Sequence, residues 1–377
     1  MKVAVFFTFD YSLKTWDLSG TIDREFRIYQ EIHNKYGVEF TFFTYGDESD
    51  LKLAEKYPEF KIFPIYQKIN YSNNKLFRIL KSFYVPFIYK KEMLQFDVLH
   101  QHQLLGSWVV ILAKIFFKKP FLLRTGYDMA NFAKLDNKSN LIIQAYKILT
   151  ILSIRYCNLI TVSNKSDYER LQKNSSIRKE KKLFIRPNWV EVDITGLDFE
   201  KRHRNKILSV GRLESQKNFE LLINEFENSK NEISFDIVGN GSLRKELIDL
   251  CKAKNVDINF LGNLLFDELI TLYKNYTFFI STSKFEGNPK TILEAMGSGC
   301  IVMASDIPNH RELIKDLENG ILFNLERPNL KEKFNELSKN FQTLNELSNK
   351  AVEKIKKDNN IGDLSSLMFN DYSSLID

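Results

Sequence analysis

The residues best suited to chemistry lie in three short stretches of the second half of the chain. In Ser209-Val210-Gly211-Arg212-Leu213-Glu214-Ser215-Gln216-Lys217-Asn218, Gly211 permits a sharp turn, and Arg212 and Lys217 set two cations just ahead of a helical stretch. Two cations beside a helix N-terminus suit a diphosphate, which carries about two negative charges. In Val238-Gly239-Asn240-Gly241-Ser242, Gly239 and Gly241 flank Asn240 and allow positive φ and close backbone approach to a ligand. Ser242 reads equally well as a plain helix N-cap, and the spacing is not the GxGxxG of a dinucleotide site. The third stretch, SKFEGNPKTILEAMG from Ser283 to Gly297, places Pro289 where a helix should begin, with the amides of Lys290 and Thr291 able to face an anion. Glu286 and Glu294 would stand roughly 12 Å apart if the span were helical. That is too far for the ~5 Å carboxylate pair of a retaining glycosidase. They suit instead two diol-bearing groups, a ribose and a hexose, at opposite ends of a diphosphate. Apolar neighbours Leu293, Ala295 and Met296 predict that Glu294 is buried and needs partners.

Such loops work only at the ends of strands that lead into helices, and the pattern supplies those elements. Both halves alternate short apolar runs with amphipathic stretches, as βα units around parallel sheets do. Strands are predicted at Val3–Phe7, Val38–Thr44, Val98–His100, Phe121–Arg124 and Leu159–Val162, with a helix over Gly20–Tyr36. In the second half, strands at Lys206–Val210, Ile233–Val238, Ile258–Leu261, Thr277–Ser281 and Ile301–Ala304 alternate with helices at Asn218–Asn228, Leu243–Ala253, Phe266–Tyr273 and Thr291–Met296. The charged, apolar-poor stretch Asp198–Lys206 marks the boundary. The predicted domains are residues 1–192, residues 206–358 and a closing helix in 359–377.

At 377 residues the chain suits two α/β domains. Three scattered cysteines, Cys157, Cys251 and Cys300, lack disulfide or zinc-ligand spacing and point to a reducing compartment. MKVAVFFTFD reads as a buried first strand rather than a signal peptide, and no apolar run reaches ~18 residues, so cytoplasmic residence is expected. The net charge of +6 is uneven: residues 1–190 hold 30 Lys/Arg against 18 Asp/Glu, and residues 191–377 hold 24 against 30. The basic, aromatic stretch Lys75–Tyr84 reads either as a contact to anionic lipid, peripheral at the inner face of the plasma membrane, or as an amphipathic helix packed on the core.

FEGNPKTILEAMGSGCIVMAS resembles the E-x7-E signature of the retaining glycosyltransferase family four. SVGRLESQKN, VGNGSLRKEL, INFLGN and ENGILF are similar, in order, to the family's diphosphate loop, glycine turn, base-side strand end and last nucleotide-domain strand. The resemblance covers residues 160–325 closely and the first half loosely. It implies a GT-B fold: α/β, two Rossmann-like doubly wound domains facing a cleft, with the C-terminal helix crossing back to the N-terminal domain. It implies that Arg212, Lys217 and Glu286 are catalytic, the cations holding the diphosphate and Glu286 the hexose hydroxyls. Glu294 would hold the ribose, Gly262 and Asn263 the base side, and Gly211, Gly239, Asn240, Gly241, Gly287, Asn288, Pro289, Lys290 and Thr291 the rest of the donor. The donor would be UDP- or GDP-linked, with no cofactor and no metal, and front-face chemistry would use the leaving phosphate as base. The acceptor would be a glycan or lipid-linked sugar of a cell-surface polysaccharide or glycolipid.

The first half departs from the family. Trp16-Asp17-Leu18-Ser19-Gly20-Thr21 carries one glycine, Gly20, where the family's loop has several. The family's histidine after the strand at Phe121–Arg124 is missing, which leaves His100, His102, Arg124 and Asp128 as candidate cleft residues. Two other readings stay open: a GT-B-type nucleotide-sugar epimerase, and a non-catalytic basic nucleic-acid- or membrane-binding protein. The set Arg212, Lys217, Glu286 and Glu294 argues against nucleic acid.

Overall fold

A computed structural model describes residues 1–173, 182–192, 199–230 and 232–376. The chain forms two compact units, Met1–Pro187 with Gly362–Asp377, and Asn188–Ile361. The second unit therefore begins at Asn188, ahead of the expected residue 206; Asp198, the first residue of the expected boundary stretch, lies outside the described residues. Residues 188–190 belong to the second unit because the end of the helix Phe341–Asp358 holds them. Val190 N–H donates to Asn359 O at 2.9 Å, and the Asn359 amide donates to Asn188 O at 2.7 Å.

The first unit contains a seven-stranded parallel sheet: β1 (Lys2–Phe6), β2 (Glu39–Thr44), β3 (Lys61–Pro64), β4 (Val98–Gln101), β5 (Phe121–Thr125), β6 (Leu159–Val162) and β7 (Lys182–Ile185), in the order β3-β2-β1-β4-β5-β6-β7. The second contains β8 (His203–Val210), β9 (Ser234–Val238), β10 (Asp257–Gly262), β11 (Tyr276–Ser281), β12 (Ile301–Ser305) and β13 (Ile321–Phe323), in the order β10-β9-β8-β11-β12-β13. Both are doubly wound. The order reverses between β1 and β4 and between β8 and β11, and ligands of such sheets sit at these switch points, outside the carboxyl ends of the strands.

The central strands are continuous apolar runs because helices cover both faces; every residue of β12 is buried, as are all but the last of β11. The closing helix Ile361–Ser373 packs, from Gly362 on, within the first unit. There Phe369 stacks on Tyr36 with centroids 3.9 Å apart, and Asp371 takes a bidentate pair from Arg186 at 2.7 and 2.8 Å.

The helix Lys75–Ser82 turns Leu76, Phe77 and Leu80 outward, 69%, 57% and 59% exposed, while Ile79 packs against the core of the first unit. The helix thus rests on the core through Ile79 and Ser82 while part of its apolar surface faces outward, so both readings of this stretch stay open. Among the described residues no helix is long and apolar enough to cross a membrane.

Candidate functional site

The switch point of the second sheet gathers most of the candidate residues. The turns after β8, β9 and β10 are tied through backbone: Gly211 N–H donates to Val238 O (2.9 Å), Leu213 to Asn240 O (3.0 Å), and Gly239 to Gly262 O (2.7 Å). This close approach explains the glycines. A Cβ on Gly239, whose φ is +133°, would sit 2.1 Å from Gly211 O, and one on Gly241 would sit 2.4 Å from Leu213 O. The glycines thus let one turn lie on the next, whether or not a ligand also approaches.

Lys217 and Glu286 meet across β8 and β11. The Lys217 ammonium lies 2.5 Å from Glu286 Oε1, with both side chains mostly shielded from water. Ser283 Oγ donates to the same oxygen at 2.7 Å, and the Gln216 amide donates to Phe285 O at 2.8 Å. The loops are held in register by Thr282 Oγ1, which reaches Lys217 O and Asn218 O at 2.9 Å each, and by Lys284 N–H donating to Gln216 O at 2.9 Å. Burial alone would push the Glu286 carboxyl upward. The charge and hydrogen bond of Lys217, with help from Ser283 and the field of His310, outweigh it and hold the group below the ordinary value as a carboxylate. Arg212 is exposed and, among the described residues, makes no side-chain hydrogen bond or ion pair. It lies five residues before Lys217 in the same loop, a cation with all five donors available.

Behind Glu286 lies a group that the sequence reading passed over. His310 is fully buried, and its Nδ1 lies 2.7 Å from Ser305 O. A carbonyl only accepts, so Nδ1 carries the proton. Ser305 Oγ in turn donates to Ser283 O at 2.5 Å, linking the histidine to the residue that caps Glu286. Nε2 is buried and, among the described residues, has no hydrogen-bond partner. Burial lowers the His310 pKa to about 4, against an upward pull from Glu286, so the ring is neutral near pH 7. The sign follows from proton uptake. Between the unfolded value near 6.5 and the folded value near 4 the unfolded chain binds the extra proton, so stability is lost as pH falls through that window. By pH 5 the loss is about 2 kcal/mol at 1.36 kcal/mol per unit. Thermal melts at pH 7.5 and 5 should show a larger drop in the wild type than in His310→Gln; equal drops would refute the assignment. Only an alignment or a structure could have singled out this histidine.

Glu294 is buried as predicted, on the helix Lys290–Gly297, with Tyr273 donating to Oε2 at 3.3 Å. Pro289 is the N-cap of that helix, and Lys290 its first residue. Side chains of two candidates are engaged inside the protein. Asn288 accepts twice from Asn188, at Oδ1 from the backbone N–H (2.8 Å) and at its carbonyl from the side-chain amide (2.6 Å), and the Lys290 ammonium lies 4.4 Å over the Trp189 ring. Gly287 and Thr291 are half-buried in the same loop and helix start. Ser242 is not an N-cap: the helix starts at Arg244 behind Leu243, and Ser242 bonds Glu214 through both N–H (2.9 Å) and Oγ (2.7 Å). Asn240 Oδ1 accepts from Gly241 N–H at 2.9 Å. Gly262, with φ +73°, is the last residue of β10, and Asn263 follows it.

Of the candidates of the first unit, His100, His102 and Arg124 share one buried cluster with Tyr29 and Tyr372, the two histidine rings 6.4 Å apart, whereas Asp128 and Gly20 are engaged at helix ends. His100 is fully buried, its Nδ1 2.8 Å from Tyr372 OH; His102 Nδ1 lies 3.2 Å from Tyr29 OH, and its Nε2 3.9 Å from Glu25. Arg124 is buried and donates to Arg186 O at 3.1 Å. Asp128 caps the helix Met129–Leu135 through Ala130 and Asn131 N–H and pairs with Arg170 at 2.8 Å. Gly20, with φ +67°, ends the helix Leu13–Leu18 ahead of the helix Ile22–Tyr36.

Residues 198–358, inside the second unit, match the family model described as glycosyl transferases group 1. Two Campylobacter jejuni proteins are similar over much of the chain. N-acetylgalactosamine-N,N'-diacetylbacillosaminyl-diphospho-undecaprenol 4-alpha-N-acetylgalactosaminyltransferase is 29% identical over 265 residues, covering 68% of this chain and 72% of that protein. The GalNAc-alpha-(1->4)-GalNAc-alpha-(1->3)-diNAcBac-PP-undecaprenol alpha-1,4-N-acetyl-D-galactosaminyltransferase is 26% identical over 287 residues, covering 74% and 72%. Among solved structures, Anabaena HepE in complex with UDP and glucose superposes with a TM-score of 0.74 at 15% identity, covering 99% of this chain and all of that one. At such low identity the likeness speaks for the fold, and the chain has the two-domain GT-B architecture.

Proposed function

We propose that this chain, whose second unit matches the group 1 glycosyl transferases, moves a hexose or N-acetylhexosamine from a nucleotide-diphosphate sugar, with retention, to a glycan or lipid-linked acceptor of a cell-surface polysaccharide or glycolipid. That reading is supported by the match of residues 198–358 to the glycosyl transferases group 1 model and by similarity to two relatives named as N-acetylgalactosaminyltransferases. The observation that carries the residue-level reading is the Lys217–Glu286 pair at the β8/β11 switch point, with the exposed Arg212 in the same loop as Lys217.

Each group has a role suited to its charge. The leaving nucleoside diphosphate gains negative charge as the sugar departs, and Arg212 and Lys217 are fixed cations that stabilise it without a metal. One of the three Lys217 donors serves Glu286, which leaves two for phosphate oxygens. Glu286, held below the ordinary carboxyl range, is a poorly matched proton shuttle at neutral pH and a good acceptor for sugar hydroxyls. That chemistry supports a front-face mechanism in which the departing phosphate takes the acceptor proton and no protein nucleophile forms. Glu294, the second glutamate of the E-x7-E pair, takes the ribose hydroxyls, and the turns at Gly211, Gly239 and Gly262 offer backbone to phosphate and base. Peripheral attachment to an anionic bilayer is supported by the outward apolar face of Lys75–Ser82 with Lys75 and Lys81 beside it.

A thermal-shift panel of nucleoside diphosphates and nucleotide sugars tests the donor half, with UDP tried first. One base should raise the melting temperature by several degrees, and no response to any of them would overturn the reading. Transfer of the matching sugar to lipid-linked acceptors should then persist in EDTA and rise with anionic vesicles. Conversion of donor alone to an epimer would favour the epimerase instead.

A further inference from the structure

The first unit holds a second site-like feature, away from the residues discussed above except Asp128. A pocket of about 430 Å³ opens between the helices Met129–Leu135, Asn140–Tyr156 and Lys165–Gln172. That volume lies within the roughly 300–1,000 Å³ of small-molecule sites. Its place is that of a ligand site, because Asp128 and its neighbours follow directly from β5, at the carboxyl edge of the sheet.

Its lining is divided by chemistry. Lys134, Lys147 and Arg170 supply cations, and Ile143, Ile151 and Leu171 supply hydrocarbon. Arg170 is partly neutralised by Asp128 at 2.8 Å and Asp167 at 3.6 Å. Lys134 and Lys147 are exposed and, among the described residues, their ammonium groups make no hydrogen bond or ion pair, so two positive charges remain unbalanced at the pocket. The apolar side continues outward. Ile151, itself in the lining and 42% exposed, leads along its helix to Ile148 and Leu152, which are also exposed. Residues three and four apart share a helix face, so these three form one stripe from the pocket to the surface. Asp128, Thr150 and Leu171 also border a small apolar cavity of about 30 Å³ beneath, lined further by Leu104, Leu123 and Ile160.

Unbalanced cations at one end and a hydrocarbon stripe at the other fit one kind of molecule. We propose that this pocket takes the phosphate or diphosphate headgroup of a prenyl-chain lipid, the carrier end of the acceptor, with its tail along Ile148, Ile151 and Leu152. This rests on the lipid-linked-acceptor reading above and adds where the carrier is held. The lysines would meet the headgroup oxygens as charge-assisted donors, and the exposed stripe would lose its contact with water.

Titration of farnesyl diphosphate into the full-length protein tests this, with saturating nucleoside diphosphate present to block the donor site. The wild type should bind. The double variant Lys134→Glu/Lys147→Glu should bind roughly tenfold more weakly or worse, and Ile151→Asp should also weaken it. All three positions are exposed or half-exposed, so folding should survive, and an unchanged thermal response to nucleoside diphosphate confirms that in each variant. Unchanged binding in the variants overturns the proposal. So does inorganic diphosphate binding as well as the farnesyl compound, or neutral farnesol doing so. A wild type that binds farnesyl diphosphate but responds to no nucleoside diphosphate would sink the donor reading alone.

Discussion

Lys217→Ala is expected to lower kcat at saturating donor by about 10²-fold or more, the usual loss when one fixed electrostatic contact to the developing charge is removed. The substitution does two things, and they can be separated. It removes a cation from the leaving diphosphate, and it strands the buried Glu286 carboxylate, whose pKa is held down chiefly by Lys217 against burial. Removing one partner of a buried pair costs about 3–5 kcal/mol when nothing else compensates, although Ser283 still donates to the carboxylate here. Lys217→Ala should therefore melt earlier than wild type near neutral pH and recover part of the difference on acidification, as Glu286 takes up a proton. Adding Glu286→Gln to Lys217→Ala should restore stability without restoring kcat. A Lys217→Ala enzyme with near-normal turnover would sink the phosphate assignment. A double variant that regained activity along with stability would reduce Lys217 to a structural role.

Gly239→Ala should destabilise the second unit by about 3 kcal/mol or more, whereas Gly262→Ala should cost about 1 kcal/mol. The two glycines both have positive φ, +133° and +73°, so both substitutions carry backbone strain. They differ in what the new methyl meets. At Gly239 it would fall 2.1 Å from the Gly211 carbonyl, which is backbone and cannot swing aside, while at Gly262 nothing lies within 4 Å. Relief at position 239 requires the β8 and β9 turns to part, breaking Gly211 N–H to Val238 O and Leu213 N–H to Asn240 O. Hydrogen exchange over residues 207–262 should accordingly rise in Gly239→Ala far more than in Gly262→Ala, and the nucleotide-induced thermal shift should shrink with it. Equal costs at the two positions would show that the turns do not rest on one another as described.

Much of this was legible in the sequence for a simple reason. Parallel strands covered on both faces must be nearly continuous apolar runs, so β8, β9, β11 and β12 stand out, and the loops that follow them are where a doubly wound sheet binds ligands. The burial of Glu294 was likewise readable from Leu293, Ala295 and Met296 around it. What failed to show were elements without that signature. β3 has four residues and ends in Pro64, and β7 is a largely exposed edge strand that opens with Lys182, so each offers only a short apolar run, Ile62-Phe63 and Leu183-Phe184-Ile185. Only the tertiary structure could decide who partners whom. Strand order places β8 beside β11, and so brings Lys217 to Glu286 across 69 residues of chain. The same long-range packing gives Asn288 to Asn188 and Ser242 to Glu214, encloses His100 against Tyr372, and turns Leu76, Phe77 and Leu80 outward. Local pattern determines which residues are strand, helix or turn, because propensity and burial act over a few residues. Charge pairing and solvent exposure depend on neighbours brought together from distant parts of the chain.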